Sequence, residues 1–565
     1  MIYKRLIWAG IFIFILAYLG TIWYRPLFMP DETRYAEIAR EMIANDNYVV
    51  PTLADLKYFE KPVMGYWLTA GSFLLFGETP FAARLAPALA ALLGGALLWL
   101  LVRRTEDAKL ALGATMIYLT CILVFAIGTY LVLDSILAFF LLGTLVAFYY
   151  ALEEASPNRK FLYLVLTGLF AGGAFLTKGF LAFAVPGLTV VPYLIWQKRY
   201  KAFWTMPWIP LLAMLAVVLP WALLVHQRDP DYWRYFIEVE HLGKFTTGQG
   251  SDDRSEPFWY FIPVLLGGLL PWTLLLPVVI KGYAGKVRTL FQNSLLRYAV
   301  CSAAFPFLFF SISSAKLGTY ILPCFPGLAI LVAAGLRSYF AQGDLRWFEL
   351  TVKLFRSLLV ASGLAFIVYQ TAAAVGNLLP AEAALYNRHE RWLWVAAVLA
   401  VIVWCFVLNQ IKKYSDGFIK TALFAAGPLA AMLAAHFVMP ARLVDKLAPE
   451  PFLEILADRL TPETRIVAFK HLVPGAAWSW KRADIMLYES RSELGYGLER
   501  PEGAGRLVSP EEFEQLAASG QPVVIVMDSA KRIKRLPPGD LKVTSGGGIM
   551  YMEYSGSNQE NDDGK

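Results

Sequence analysis

Residues 30–62 read PDETRYAEIAREMIANDNYVVPTLADLKYFEKP, and they follow closely on an apolar run from about Leu6 to Trp23 that starts behind Lys4 and Arg5. A run of that length crosses a bilayer. It carries no small-residue cleavage site, so it reads as a retained first membrane helix. A loop dense in carboxylates, amines and tyrosines therefore stands at a membrane edge, in a chain that is otherwise 57% hydrophobic. Charge placed there costs free energy when it is poorly solvated or unpaired, so the loop asks for a chemical reason.

Outward from this loop the composition is uniform. A mean hydropathy of +0.50, 17% charged and 15% aromatic residues describe a polytopic α-helical membrane protein and exclude a soluble one. The formal charge of +7 would suggest nucleic acid in a soluble chain. Here the basic residues fall in short loops between apolar runs, where they set orientation instead. Cys121, Cys301, Cys324 and Cys405 lie in or beside apolar segments without metal-ligand spacing, which predicts neither disulfides nor a cysteine-bound metal.

Apolar stretches of membrane-spanning length fall near 6–24, 82–102, 109–128, 132–152, 161–176, 179–196, 204–225, 257–280, 296–313, 317–336, 354–376, 391–409 and 418–439. That predicts about 13 transmembrane helices. With the N-terminus in the cytoplasm, Arg103-Arg104, Arg159-Lys160, Lys198-Arg199, Lys201, the segments 281–288 and 337–353, and Lys412-Lys413 share the cytoplasmic side. The opposite face receives the loop 25–81, the connector from Gly128 to Asp134, Thr177-Lys178-Gly179, the loop 226–256 and Ser313 to Tyr320. The chemically unusual residues thus converge on one face.

After residue 440 the pattern changes. Arg465 to Lys470, Asp484 to Glu489, Val523 to Met527 and Ile549 to Tyr554 read as short strands. Ser509-Pro510-Glu511-Glu512 opens a helix with a serine cap, a proline in the first turn and a capping-box glutamate, closing near Gly520. The expected organisation is a catalytic transmembrane domain 1–440, a small periplasmic α/β domain 441–555 and a disordered tail 556–565. Gly546-Gly547-Gly548 reads as a turn before a strand, since no helix follows to make a phosphate loop.

Within the charged loop, Asp31 to Met42 has helical period and suits a helix lying along the membrane surface, with Arg34, Glu37, Arg40 and Glu41 solvating it. Asp31 and Glu32 open that helix; Asp31 either caps it or does chemistry. Lys57-Tyr58-Phe59-Glu60-Lys61-Pro62 packs two amines, a carboxylate and two aromatics together, a set able to bind a phosphate by charge while its rings exclude water. The alternative is snorkelling lysines. Lys178 sits alone between two apolar helices, and Asp134 begins another, where it would at least complement the helix dipole. Glu240 and His241 stand in the loop 226–256, followed by Arg254; Glu60 and His241 could share a divalent metal, though one histidine beside one carboxylate is a thin donor set. Lys316 and Tyr320 place an amine and a phenol at the mouth of a span, where tyrosine is also an ordinary interfacial anchor.

Taken in order, DETRYAEIAREM, KYFEKP, AIGTYLVLD, FLTKGF, EH followed by KF, and KLGTYILP resemble the bacterial lipid A aminoarabinose transferases, membrane glycosyltransferases of the GT-C class related to protein O-mannosyltransferases. The resemblance runs over essentially the whole chain, and its most specific pieces are DETRYAEI and KYFEKP. It implies transfer of 4-amino-4-deoxy-L-arabinose from undecaprenyl phosphate to a lipid A phosphate on the periplasmic face of the inner membrane, a lipopolysaccharide modification that protects against cationic antimicrobial peptides. It implies Asp31 as the central catalytic carboxylate with Glu32 beside it, and Lys61, Lys178 and Tyr320 around the lipid phosphate, assisted by Tyr58 and Arg254. Asp134 joins the catalytic set, and Lys57, Lys316 and Glu240 are secondary. The chain departs from the family's usual proline at Gly318 and usual arginine at Lys244. Transfer of another sugar, or to a protein or glycan, stays open, as does a flippase for a lipid-linked sugar. Against the flippase, transporters bring charge to the membrane midplane, whereas these residues keep to one edge.

Overall fold

The computed structural model describes residues 2–243, 256–375, 384–448, 450–543 and 549–554. Lys244, Arg254, Gly546-Gly547-Gly548 and the tail 556–565 lie outside the described residues.

Each of the thirteen apolar stretches is largely helical. Among the described residues nine helices are long and apolar enough to cross a membrane, and two further pairs, Ala108–Thr120 with Ile122–Gly128 and Phe258–Gly268 with Trp272–Tyr283, qualify together but bend by 64° and 94°. The remaining two stretches form α1 (Ile2–Leu19) and the shorter Leu181–Trp196. The two bends meet. The Ile122 amide donates to the Leu270 carbonyl at 3.0 Å and the Trp272 indole to Thr120 Oγ1 at 2.9 Å. Breaks inside a bilayer are tolerated where neighbouring elements satisfy the freed backbone groups, and each break here supplies the other.

α1 is followed by α2 (Asp31–Ala44), a two-stranded hairpin of β1 (Thr52–Leu53) and β2 (Leu56–Lys57), α3 (Met64–Phe76) and α4 (Pro80–Thr105). α4 starts two residues ahead of the apolar stretch expected at 82, where Thr79 accepts from the Ala82 amide and Pro80 occupies the first turn. α5 (Ala108–Thr120) and α6 (Ile122–Gly128) form the first bent pair, and α7 (Leu133–Glu153) packs lengthwise on α8 (Pro157–Lys178).

The C-terminal region is a six-stranded sheet in the order β5-β4-β3-β6-β8-β7. Here β3 is Arg465–Ala468, β4 Met486–Tyr488, β5 Leu507–Val508, β6 Val523–Met527, β7 Asp540–Val543 and β8 Met550–Tyr554. The first four strands in that order run parallel, β8 runs against them, and β7, antiparallel to β8, runs with them. The four anticipated strands are present; β5, only two residues long, and β7 were too short or too polar to stand out. The helix Pro510–Ala517 carries the full capping box, with Glu512 N on Ser509 Oγ at 3.2 Å and Ser509 N on Glu512 Oε2 at 2.8 Å. One face of the sheet (Ile466, Ala468, Val524, Val526) joins the main core and the other (Val467, Val523, Ile525, Met527) buries against Phe513, so β6 reads as an unbroken apolar run.

This region sits on the charged loop. The helix Val473–Trp480 rests on α2, with Trp478 stacked on Phe73 at 5.8 Å. Lys481 pairs with Glu78 at 3.0 Å, and Arg506 donates to the Ala54 carbonyl at 3.0 Å.

Candidate active site

α2 is not a solvated surface helix. Arg34, Glu37 and Glu41 are buried and Arg40 nearly so, because the C-terminal region covers the face expected to meet water. Burial on that scale requires pairing, and the pairs are there. Arg40 grips Glu37 through two bonds of 2.7 Å. Arg34 donates to Asp31 Oδ1 at 2.7 Å, to Tyr58 at 3.3 Å and to Glu493 at 2.5 Å, and lies 4.0 Å from Glu60. Glu493 comes from the C-terminal region, more than four hundred residues away in sequence.

The KYFEKP segment continues the chain of charge. Tyr58 donates to Glu60 Oε2 at 2.9 Å, and burial pushes its phenol well above the ordinary value, which keeps the proton on. Lys61 Nζ donates to the Glu60 carbonyl oxygen at 2.9 Å and lies 3.9 Å from the Glu60 carboxylate and 3.5 Å from Glu240 Oε2. Glu240 belongs to a π-helical segment, Tyr235–Gly243. In the same segment His241 donates from Nδ1 to the Phe236 carbonyl at 2.8 Å, and its ring lies over Gly179. Gly179 ends α8 with φ +66°, and a Cβ there would come within 2.6 Å of Phe236 and 2.8 Å of His241 Nε2. The left-handed turn and the close ring both demand glycine.

Lys178, one residue earlier, donates to Asp134 Oδ1 at 2.8 Å and lies 5.3 Å from the Tyr320 ring centre. Asp134 is in the first turn of α7, where the helix N-terminus favours a carboxylate. The structure thus brings Asp31, Tyr58, Glu60, Lys61 and Glu240 into one connected set and Asp134, Lys178 and Tyr320 into another, and the His241–Gly179 contact joins them. Among the described residues no group of three or more His, Cys, Asp or Glu could cage a metal. Glu60 Oε2 already has Arg34 and Lys61 within 4.0 Å, and a divalent cation added there would meet two like charges.

Three expectations change. Glu32, the chain neighbour of Asp31, is fully buried and turned onto Arg25 and Arg84 instead. Lys57 points away from the cluster to Asp229 at 3.0 Å and Glu502 at 3.7 Å, where it ties the hairpin to the loop after residue 228 and to the C-terminal region. Lys316 is buried and donates to the carbonyls of Glu256 and Ser313, closing its own loop. Sequence reasoning missed Arg84, Arg25 and Glu493. Arg84 had a signal, a lone charge in the apolar run PFAARLAPALAALL; Glu493 had none.

Exposure sorts the acids. The Asp31 side chain is 36% exposed, against 0% for Glu32 and 8% for Glu60, Glu493 and Asp134. Asp31 is the carboxylate of this layer that an incoming molecule can reach.

Residues 5–236 match the family model described as dolichyl-phosphate-mannose-protein mannosyltransferase, and residues 444–552 match the C-terminal domain of arabinosyl transferase ArnT. The undecaprenyl phosphate-alpha-4-amino-4-deoxy-L-arabinose arabinosyl transferase of Shewanella sediminis is 36% identical over 538 residues, covering 94% of this chain and 95% of that one. A transferase of the same name, numbered 2, from Proteus mirabilis is 36% identical over 544 residues, with 94% and 95% covered. The crystal structure of ArnT from Cupriavidus metallidurans in the apo state is 25% identical with a TM-score of 0.79 over 99% of both chains. Its undecaprenyl phosphate-bound form gives 0.78 at 25% identity over 98% of both. The chain belongs to the family of undecaprenyl phosphate-aminoarabinose arabinosyl transferases.

Proposed function

We propose that this protein transfers 4-amino-4-deoxy-L-arabinose from undecaprenyl phosphate to a phosphate of lipid A, at the periplasmic face of the bacterial inner membrane. The observation that carries the reading is the match to arabinosyl transferases of that donor along 94% of the chain, through both the helical part and the C-terminal region. The likeness to a structure that holds undecaprenyl phosphate supports the donor.

In this reading the site residues divide the work. A phosphate monoester has a second pKa near 6 and is largely deprotonated at neutral pH, so the acceptor needs no strong base as an alcohol would. Asp31, the accessible carboxylate, holds the protonated 4-amino group and stabilises positive charge developing at the anomeric carbon. Lys61 and Lys178 neutralise the departing undecaprenyl phosphate and the Tyr320 hydroxyl donates a hydrogen bond to it, with Arg254, which lies outside the described residues, as a further cation. Asp134 holds Lys178 in place at 2.8 Å.

Mass spectrometry of lipid A from a deletion strain tests this. Complementation with the wild type adds the mass of the aminosugar, and Asp31→Asn does not. An unchanged spectrum in both strains refutes the acceptor.

A further inference from the structure

Glu32 accepts six hydrogen bonds. Arg25 Nη1 and Nη2 reach it at 2.5 and 3.3 Å, Arg84 Nε and Nη2 at 2.7 and 2.8 Å, the Phe28 amide at 2.9 Å and the Leu131 amide at 3.0 Å. Arg84 in turn spends the rest of its fork on the carbonyls of Ile22, Arg25 and Pro26, so all five of its N–H donors are used. Arg25 also donates through Nε to His436 Nδ1 at 3.2 Å. Glu32 and Arg84 have no solvent exposure and Arg25 has 4%.

We infer that Glu32 is a positioning residue for the transfer reaction, a carboxylate that fixes Asp31 against Asp134 and touches no substrate itself. Its side chain joins four separate segments: the turn behind α1, the start of α2, the start of α4 and the connector before α7. Asp31 is its chain neighbour, and Leu131, which it holds by the amide, is three residues before Asp134. No other described carboxylate reaches both sides of the site in this way. With every lone pair of Glu32 occupied and its side chain sealed from solvent, no acceptor or sugar can be bound by it without dismantling the clamp. The cations outnumber the anion by one in this pocket, so the carboxylate cannot be removed without leaving two guanidiniums uncompensated, a strongly unfavourable state.

The inference rests on the transfer reaction proposed above, and the test separates the two. Purified full-length wild type, Glu32→Gln, Glu32→Asp and the double variant Glu32→Gln/Arg84→Gln are compared for kcat, pH–rate profile and undecaprenyl phosphate binding. Misplacement by about 1 Å costs roughly 10²-fold in rate, so Glu32→Gln loses about that factor in kcat while its affinity for undecaprenyl phosphate and the shape of its pH profile stay as in wild type. The double variant takes away one of the two uncompensated guanidiniums and returns the pocket to its wild-type excess of one cation over anions, so it recovers part of the loss, because paired deletions within one network are not additive. Loss of a limb of the pH profile, loss of undecaprenyl phosphate binding, or no recovery in the double variant overturns the inference. Should Glu32→Gln fail to fold, Glu32→Asp keeps the charge but is too short to span both sides, and the same kcat loss at unchanged pH profile is expected. The structure of the variant gives a readout independent of turnover. An Asp31–Asp134 separation unchanged from wild type refutes positioning whatever sugar the enzyme moves.

Discussion

Glu41 offers a test of how the buried ionic layer responds to pH. Its carboxyl is 1% exposed and accepts from Thr52 Oγ1 at 2.6 Å and from the Asp55 amide at 3.2 and 3.3 Å. Glu37 on the same helix is held by Arg40, Asp55 stands on the hairpin, and Arg506 approaches from the C-terminal region through the Ala54 carbonyl. Burial pushes the Glu41 carboxyl up to about 8 and Glu37 adds to this, while the bonds from Thr52 and the Asp55 amide oppose it. A folded-state value above the unfolded one means that the folded protein binds more protons between the two. Stability is therefore full below the ordinary value of 4.5 and declines as pH rises toward 8, then levels off. The slope is at most about 1.4 kcal/mol per pH unit, on the order of 5 kcal/mol over the whole interval. Glu41→Gln replaces the protonated acid with a neutral amide of the same shape and removes that slope. Thermal midpoints of the two proteins, followed from pH 5 to pH 9 in one detergent, should coincide at the acidic end and separate at the alkaline end, with wild type the lower. Parallel curves, or a wild type that gains on the variant as pH rises, would refute the reasoning.

Lys178→Met leaves Asp134 buried without its cation, and a broken buried pair costs roughly 3–5 kcal/mol. The expected result is a kcat lower by about 10²-fold or more with reduced protein yield; adding Asp134→Asn restores the yield but not the rate, and recovery of both would make the pair purely structural. At Gly335 a Cβ would come within 2.6 Å of Val279 Cγ1, where the helix Phe325–Phe340 crosses Leu276–Tyr283. Gly335→Ala should cost about 1–3 kcal/mol by overpacking, read as a lowered thermal midpoint, whereas Gly10→Ala, with nothing within 4 Å of its added carbon, leaves the midpoint in place. Glu493→Gln takes one anion from buried Arg34 and should loosen the C-terminal region by about 1–3 kcal/mol; faster protease cleavage between residues 440 and 460 measures it, and an unchanged rate would show that the other contacts, among them Trp478, Lys481, Glu502 and Arg506, carry the attachment without Glu493.

Local chemistry was legible in the sequence wherever one segment decided it. The Ser509 capping box and the apolar β6 each follow from a few neighbouring residues, and the structure keeps them, whereas the bends inside 109–128 and 257–280, each read as one span, come from the structure alone. The KYFEKP segment was equally readable as a concentration of groups, though not in its directions: Lys61 turns inward to Glu60 and Glu240, while Lys57, four residues earlier, turns outward to Asp229. Strand alternation would put Lys57 and Lys61, four residues apart, on the same face; β2 ends at Lys57, and the irregular chain after it turns Lys61 the other way, a direction set by the partner surface. Pairing at long range was not legible at all. Helical period in DETRYAEIAREM predicted a polar face and an apolar face, and it could not show that the polar face would be roofed by residues beyond 440.

That roof changes the meaning of the charged loop. On an open membrane surface the acids of α2 would share water and nearly the same environment, and Asp31 and Glu32 would be interchangeable by position. In the fold the acids are separated by which partners reach them: Glu32 is taken by two arginines and two amides from the chain before residue 132, Glu37 by Arg40, Glu60 of the neighbouring KYFEKP segment by Tyr58, Arg34 and Lys61, and Asp31 by a single arginine that it shares with Glu493 of the roof. Burial would raise the Glu32 carboxyl, yet Arg84 and Arg25 more than cancel it and hold that group below the ordinary range. Glu32 therefore stays charged and stays satisfied, which makes it a poor partner for a passing substrate. Asp31 keeps both its exposure and a face of its carboxylate that Arg34 does not cover. Concentrating so many ionisable groups in one loop serves a single accessible acid, because a carboxylate at a membrane edge can be left open to a sugar only where its neighbours are fully spoken for.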